Sequence, residues 1–264
     1  MKYPILGRER RRPIALSAVG TVLVLAFACV LFTLTVLAIQ PGLLPDTLAA
    51  FWEDKLLIPL NIFPVCVVLI VCYCLTGNAF SAAGIGGLIV NLLSYINLIK
   101  TDCRNDPFVP ADCALLREAA NAVGDYQLDL HWGTLAAILL LSAVCFALAY
   151  WSRARRPRWY VRSIMALLVL AVFGASMVKV YPSGDIYDRR GVGTVQASKS
   201  NVPEVFRLCG FPYCFLHNYN LYPVEKPDGY QKNAGRDADR SGRAALCAAE
   251  GTAQYPLPDV RVLQ

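Results

Sequence analysis

Five long apolar stretches occupy most of the first two-thirds of the chain, and they constrain the fold more than any other feature. They run over residues 14–39, 56–75, 80–99, 132–151 and 163–178, and none carries a charge in its interior. A helix rises about 1.5 Å per residue, so about 20 residues cross the roughly 30 Å hydrocarbon core of a bilayer. Because only a helix satisfies its own backbone polar groups in lipid, each stretch is predicted to be a transmembrane helix.

Basic residues cluster at two places around these stretches. One cluster lies within Lys2–Arg12, before the first stretch, and the other within Arg153–Arg162, between the fourth and the fifth. Positively charged loops stay in the cytoplasm. The amino terminus, the turn near Gly77 and the 153–162 loop are therefore predicted to be cytoplasmic, and five crossings place everything after Tyr181 outside. The sequence predicts a multi-pass protein of the cell membrane with an extracellular carboxyl terminus.

Composition agrees with a membrane protein and gives little support to other classes. The chain is 56% hydrophobic and has a net charge of +6, as membrane proteins often do. Because that charge lies at the predicted cytoplasmic face, it indicates topology, and no nucleic-acid partner is predicted. The two histidines, His131 and His217, are far apart in sequence, and no cysteine and histidine spacing indicates a zinc site.

The ten cysteines do not form an obvious disulfide framework. Those inside the apolar stretches are expected to be small buried hydrophobic residues. Outside them, Cys103 with Cys113 and Cys209 with Cys214 are candidate disulfide pairs, and free thiols are the alternative for both. The state of these residues, and of Cys247 in the tail, is left open.

Small residues and prolines in the second and third stretches predict close packing. Ala82 with Gly86 and Ala83 with Gly87 are spaced four apart, which permits close helix approach, either inside the chain or in a homo-oligomer. Pro59 and Pro64 in the second stretch predict a kinked helix whose freed carbonyls find partners on neighbouring helices.

The end of the third stretch carries a candidate lipid-binding face. Asn97, Lys100 and Arg104 follow each other at offsets of three and four, so they share one face if the helix continues past the membrane. Two cations and an amide at the outer head-group level suit a lipid phosphate. The alternative is that the two cations only anchor the helix end at the interface.

The remainder of the chain is a polar tail. Residues 182–257 are predicted to be an extracellular juxtamembrane linker, with an aromatic patch over 211–219 on the membrane surface and a helix over 237–250. Residues 258–264 are predicted to be the first strand of an interrupted α/β domain. The fold class is therefore an all-α polytopic membrane protein, with residues 1–181 as its five-helix transmembrane domain.

A family resemblance is carried by the third stretch and the tail. The segment Asn91–Lys100, with the sequence NLLSYINLIK, is followed by Arg104, Pro107, Pro110 and Asp112. This resembles the signature of lipoteichoic-acid synthase and related phosphoglycerol transferases, an asparagine-rich third span ending in lysine, then an arginine, a proline pair and an aspartate. The 210–230 segment is similar to the family's juxtamembrane segment. The 258–264 segment is similar to the first strand of its sulfatase-like domain of the alkaline-phosphatase superfamily, although Arg261 replaces a usual apolar residue.

The resemblance implies a transferase that takes glycerol phosphate from phosphatidylglycerol outside the cell. Its chemistry belongs to the sulfatase-like domain, with a threonine nucleophile and a divalent metal, usually manganese. None of those positions occurs in this chain, so no catalytic residue, cofactor or metal ligand is assigned, and activity of the chain alone is left open. The residues carried over as candidate contacts to a lipid head group are Asn97, Lys100, Arg104 and Asp112.

Three functions remain in competition on the sequence alone. The first is the membrane-anchor half of a lipoteichoic-acid synthase-like enzyme, with membrane lipids, a separate catalytic domain or a second copy as partners. The second is a stand-alone membrane scaffold or regulator, and the third is a small transporter. A transporter is disfavoured because the stretches contain no interior Asp, Glu, Lys or Arg. An independent active site is also disfavoured, because scattered carboxylates such as Asp102 and Asp106 usually form a solvated surface.

Overall fold

The computed structural model describes residues 14–40, 44–115, 130–154, 157–183 and 202–221. The chain divides into two compact units, Met1–Tyr222 and Pro223–Gln264, and all the described residues belong to the first. The helix expected over 237–250 and the strand expected over 258–264 lie outside the described residues. In the part that is described, five helices are long and apolar enough to cross a membrane, as the sequence predicts.

The described helices follow the apolar stretches closely and add several short elements. The long helices are α1 (Ala18–Ile39), α3 (Leu57–Thr76), α4 (Ala79–Arg104), α5 (Trp132–Trp151) and α6 (Trp159–Lys179). The shorter helices are α2 (Leu44–Glu53), α7 (Val202–Cys209) and α8 (Phe211–His217), with 3₁₀ helices at Pro110–Leu115 and Asn218–Leu221. Helix α4 continues five residues past the predicted end of the third stretch, and because these residues are mostly polar the apolar run ends before the helix does.

The first helix begins later than its apolar run. Residues Ile14–Leu16 are extended and form β1, which pairs in parallel with β2 (Ser152–Ala154). The side-chain oxygen of Ser17 accepts a hydrogen bond from the backbone N–H of Gly20 at 3.1 Å and so caps α1. The predicted helix start at residue 14 is therefore wrong by four residues, because backbone pairing and the serine cap take the first residues of the run.

Contacts at the two ends of the bundle show how the long helices alternate in direction. At the amino-terminal end, β1 pairs with β2, and the Asn78 side chain donates to Ser152 Oγ at 3.1 Å. At the opposite end, Asn97 donates to Gln40 at 2.6 Å, and the Tyr181 hydroxyl donates to the Leu60 carbonyl at 2.9 Å. Each of the five long helices therefore runs from one end to the other, in alternating sense.

Helix α4 is the centre of the bundle and packs against α1, α3 and α5. Its two central glycines permit this approach. A Cβ added at Gly86 would lie 2.7 Å from the side chain of Leu69 on α3, and one added at Gly87 would overlap the ring of Phe32 on α1. The small residues of the third stretch thus serve packing inside the chain.

Helix α6 is peripheral. It packs against α3, and none of its 21 residues is buried. Large apolar side chains are exposed along α1, α5 and α6, for example Phe27, Leu140 and Leu167. An exposed apolar surface of this extent is expected for helices that face lipid.

Candidate functional site at the opposite end of the bundle

Buried amides and hydroxyls join α1 to α4 near the opposite end. Gln40 donates to Ser94 Oγ at 2.6 Å and accepts from Asn97 Nδ2 at 2.6 Å, while Ser94 donates to the Val36 carbonyl at 2.9 Å. We call Gln40, Ser94 and Asn97 the amide cluster. Because each buried polar group would be costly if unpaired, these mutual bonds fix the depth at which the two helices meet.

A second polar contact between the same helices lies about one to one and a half turns deeper. The Thr35 hydroxyl donates to Asn91 Oδ1 at 2.8 Å, and Asn91 Nδ2 donates to the Gly87 carbonyl at 2.9 Å. Asn91 is 1% exposed. Its amide is thereby satisfied on both sides inside an apolar bundle.

The amide cluster also holds the chain that follows α4. Asn97, which is 1% exposed, accepts a hydrogen bond from the Phe108 backbone N–H at 2.7 Å. Phe108 is buried, and its ring stacks on Phe215 of α8 with centroids 5.7 Å apart. The Asn97 side chain thus connects α1, α4 and the segment after α4 through one amide group.

Lys100 lies one turn beyond Asn97 and is surrounded by acceptors. Its ammonium donates to Asp112 Oδ2 at 2.7 Å, Asp106 Oδ2 at 2.9 Å and the Pro107 carbonyl at 2.9 Å. Asp112 Oδ2 also accepts from the Val109 backbone N–H at 2.8 Å. We call Lys100, Asp106 and Asp112 the lysine cluster. All three ammonium donors are occupied, so Lys100 fastens the 106–112 segment to the end of α4.

The structure therefore brings three of the four candidate head-group contacts into one assembly. Asn97, Lys100 and Asp112 are engaged with protein partners, and the lysine cluster sets two carboxylates against one ammonium. Arg104 lies in the last turn of α4 and is exposed. Whether any of them binds lipid stays a prediction.

A helical hairpin packs on the first turns of α3, beside this assembly. We call α7, Gly210 and α8 the docked hairpin. Asn61 of α3 is fully buried; its Nδ2 donates to the Leu57 and Cys209 carbonyls at 2.8 and 2.9 Å, and its Oδ1 accepts from the Tyr213 N–H at 3.2 Å. One span amide therefore satisfies the backbone on both sides of the bend between α7 and α8.

The bend itself requires glycine. Gly210 has a φ of 85°, in the left-handed region, and a Cβ there would overlap the Asn61 amide. The docked hairpin is tied to α2 as well, since Arg207 donates to Asp46 Oδ2 at 2.9 Å. Hydrogen bonding to Arg207 lowers the pKa of the neighbouring Glu204 carboxyl.

Tyr181 and His217 complete the docking. Pro64 has no N–H to bond the Leu60 carbonyl, and the Tyr181 hydroxyl supplies that missing donor. The sequence predicts a partner on a neighbouring helix; the donor is instead Tyr181, in the turn that follows α6. His217 Nδ1 lies 2.6 Å from the Tyr181 carbonyl, so Nδ1 carries the proton in the neutral ring. Burial lowers the pKa of His217, and its bond to the Tyr181 carbonyl opposes this shift.

One expectation for the tail is corrected here, and the alternatives left open for two cysteine pairs are decided. The aromatic patch does not spread over a membrane surface, because Phe211 and Tyr213 are buried in the core together with Cys214. Neither candidate disulfide is formed: Cys103 and Cys113 are exposed free thiols, and the Cys214 thiol faces the Val205 carbonyl at 3.8 Å. Cys247 lies outside the described residues.

One further pair of titratable side chains meets at the opposite end of the bundle. His131 and Asp102 are exposed and lie 2.7 Å apart. Among the described residues, no group of three or more His, Cys, Asp or Glu side chains converges as a metal site.

Sequence reasoning missed two participants in this site. From the sequence, Gln40 is only the residue that follows the first stretch, and residues 202–217 are predicted to be part of a linker. The sequence does contain a signal for Gln40: it is an amide directly after the first span, and so it is expected at the same depth in the membrane as Asn97. Comparisons with models of known protein families, with curated proteins and with solved structures find no match to this chain.

Proposed function

We propose that this chain is the membrane part of a phosphoglycerol transferase related to lipoteichoic-acid synthase, in which an extracellular sulfatase-like domain performs the chemistry on phosphatidylglycerol. The observation that supports the proposal best is the convergence of the motif residues. Asn97, Lys100 and Asp112 span 16 positions of sequence, yet they join in one hydrogen-bonded assembly at one end of the bundle. Such convergence is expected if the motif has one structural task.

The course of the chain also supports the proposal. Beyond α6, both Tyr181 and the docked hairpin lie at the opposite end, where they bind α3. The docked hairpin lies beside the 106–112 segment, since Phe215 stacks on Phe108. With the orientation that the arginines predict, that end faces the exterior, where the head groups of outer-leaflet lipids lie.

In this proposal the lysine cluster and Arg104 have different tasks. The lysine cluster fixes the shape of the 106–112 segment, and Arg104 contacts the phosphate of an incoming lipid. An arginine suits this task because its guanidinium binds phosphate oxygens in a bidentate manner. The divalent metal that the family uses would belong to the catalytic domain and has no assigned ligand in this chain.

A chimera tests the proposal. Residues 1–222 of this chain replace the membrane part of an active polyglycerophosphate-forming transferase, and release of diacylglycerol from phosphatidylglycerol is measured in membranes. We expect activity in the chimera and a lower turnover after Lys100→Gln with Arg104→Gln. The matched control is Lys55→Gln with Lys179→Gln, which removes two exposed charges from the same end.

Two results would contradict the proposal. A chimera that is inserted and folded but releases no diacylglycerol would favour a scaffold without chemistry. Equal turnover in the Lys100/Arg104 variant and its control would remove these residues from lipid handling while leaving the anchoring role in place.

A further inference from the structure

An apolar groove of about 460 Å³ lies between α3, α4 and α6. Its walls include Val71 and Leu75 of α3, Ile89 of α4, and Leu170 and Phe173 of α6. A buried water needs two to four polar partners, and these walls provide none from their side chains. The groove therefore suits an apolar occupant.

The groove is covered at one end and continues toward the other. At the opposite end of the bundle, Phe211 and Phe215 of α8 form its cover. Its lining on α3 runs from Pro64 to Leu75, eleven positions and so about 16 Å. Leu75 is the penultimate residue of α3 and is exposed, which places the accessible part of the groove toward the amino-terminal end.

Arg162 lies at that end, on the groove side of α6. It precedes Phe173 by eleven residues, or about three helical turns, so the two side chains share a face of α6. It interacts electrostatically with Tyr73 and Cys74, which neighbour the groove residue Leu75. Its Nε is buried and has no hydrogen-bond acceptor among the described residues.

Arg162 as a whole is partly exposed, and a guanidinium has several N–H donors with which it can bind phosphate oxygens. The positive charge at the mouth and the apolar walls together match a molecule with a phosphate head and a hydrocarbon tail. A second copy of the chain could fill the groove with apolar side chains, but it has no phosphate. Its partners for Arg162 would have to be carboxylates.

We propose that this groove binds one phospholipid, with an acyl chain between α3, α4 and α6 and the phosphate held by Arg162. The site lies at the amino-terminal end and is separate from Lys100 and Arg104. It therefore does not depend on the proposed transferase function. A bound acyl chain would fill the gap beside α6, the long helix with no buried residue, and so join it more firmly to the bundle.

The experiment uses the purified full chain in detergent with a phosphatidylglycerol that carries a diazirine at the end of one acyl chain. We expect one lipid per chain by native mass spectrometry. After irradiation, we expect labels on α3 or α8 residues of the groove. Diacylglycerol with the same chains serves as the ligand without phosphate, and we expect it to bind about tenfold more weakly or worse.

Two pairs of matched variants locate the site. Leu170→Trp fills the groove and should abolish labelling, whereas Leu139→Trp on α5, a residue that is also 51% exposed, should leave it unchanged. Arg162→Gln should weaken binding about tenfold. Arg158→Gln removes a charge directly before α6, where the guanidinium already donates to the Tyr160 hydroxyl at 3.0 Å, and should have little effect.

Each of the other outcomes overturns the proposal. Equal binding of diacylglycerol and phosphatidylglycerol, or no effect of Arg162→Gln, would exclude a phosphate site. Labels that persist in Leu170→Trp, or that fall outside the groove, would exclude the acyl-chain position. A dimer whose contact surface includes Leu170 would assign the groove to a second copy. All variants are first compared by thermal unfolding, and Leu170→Trp is interpreted only beside an equally stable Leu139→Trp.

Discussion

At the scale of single residues, the docked hairpin depends on one amide and one missing side chain. Asn61 reaches both backbone partners, at Cys209 and Tyr213, only because nothing larger than hydrogen stands on Gly210. These hydrogen bonds explain why a polar residue, Asn61, lies within an apolar stretch. Its hydrogen bonds connect a span to a segment that is about 150 residues away in sequence, as the separations of 148 and 152 positions show.

We therefore expect Gly210→Ala to release the docked hairpin. Alanine at a φ of 85° is strained, and its methyl group would meet Asn61, so a loss of about 1–3 kcal/mol is expected. The rate of maleimide labelling at Cys209 and Cys214, measured by peptide mass spectrometry, should rise about fivefold to a hundredfold. Gly174→Ala is the matched control, because a Cβ there meets nothing within 4 Å. Similar labelling in both variants would refute the role of Gly210.

Lys100 offers a second test at this scale. Lys100→Met leaves Asp106 and Asp112 without their cation, and because the pairs are partly solvated we expect a loss of about 1–2 kcal/mol. The 106–112 segment, and above all the Val109 N–H that bonds Asp112, should exchange hydrogen faster. Lys179→Met removes an exposed lysine from the same end and should leave this exchange unchanged. Unaltered exchange in Lys100→Met would show that the ammonium does not fix the segment.

At the scale of elements, the docked hairpin consists of two short helices, α7 and α8, of eight and seven residues. Helices of this length are marginal alone, so their stability comes from packing on α3 and α2. The buried, neutral His217 ring is part of that packing, since it lies tilted against the Tyr213 ring with centroids 5.6 Å apart. Protonation of this ring opposes docking.

The docked hairpin should accordingly loosen in mild acid. The folded-state pKa of His217 is lowered by burial, so its contribution is fully present above the ordinary histidine pKa of about 6.5 and is lost as pH falls toward the folded-state value. We expect the unfolding midpoint to fall between about pH 7.5 and about pH 5.5. His217→Phe keeps a ring but cannot titrate, so its midpoint should fall less over that interval. An equal fall would assign the pH dependence to other groups.

The sequence predicts best those elements whose stability depends on residues that are close together in the chain. The stretches at 56–75 and 132–151 become α3 and α5 almost residue for residue, because about 20 apolar residues suffice to define a span. The docked hairpin was not predicted, since Pro212 and Gly210 suggest a loop unless the Asn61 contact is known. Gln40 was missed for the same reason: its partners, Ser94 and Asn97, are more than fifty positions away.

At the scale of the whole molecule, contacts within the bundle and the positions of the arginines bear on two different aspects of the topology. Pairing of β1 with β2 and the Asn78–Ser152 hydrogen bond place the segments before α1 and after α5 at one end. The contacts of Tyr181 place the segment after α6 at the other. The bundle therefore fixes which segments share a side, and the arginines predict which side is the cytoplasm.

Reporter fusions examine both statements at once. Alkaline phosphatase joined after Ala154 should be inactive and after Ser183 active, while green fluorescent protein at the same positions should give the reverse. The same side for both positions would contradict the crossing by α6, whatever the orientation. Opposite sides with the signs exchanged would keep the bundle and overturn the arginine argument. In that case Lys100, Arg104 and the docked hairpin would face the cytoplasm, and an extracellular phosphoglycerol transferase would no longer be supported.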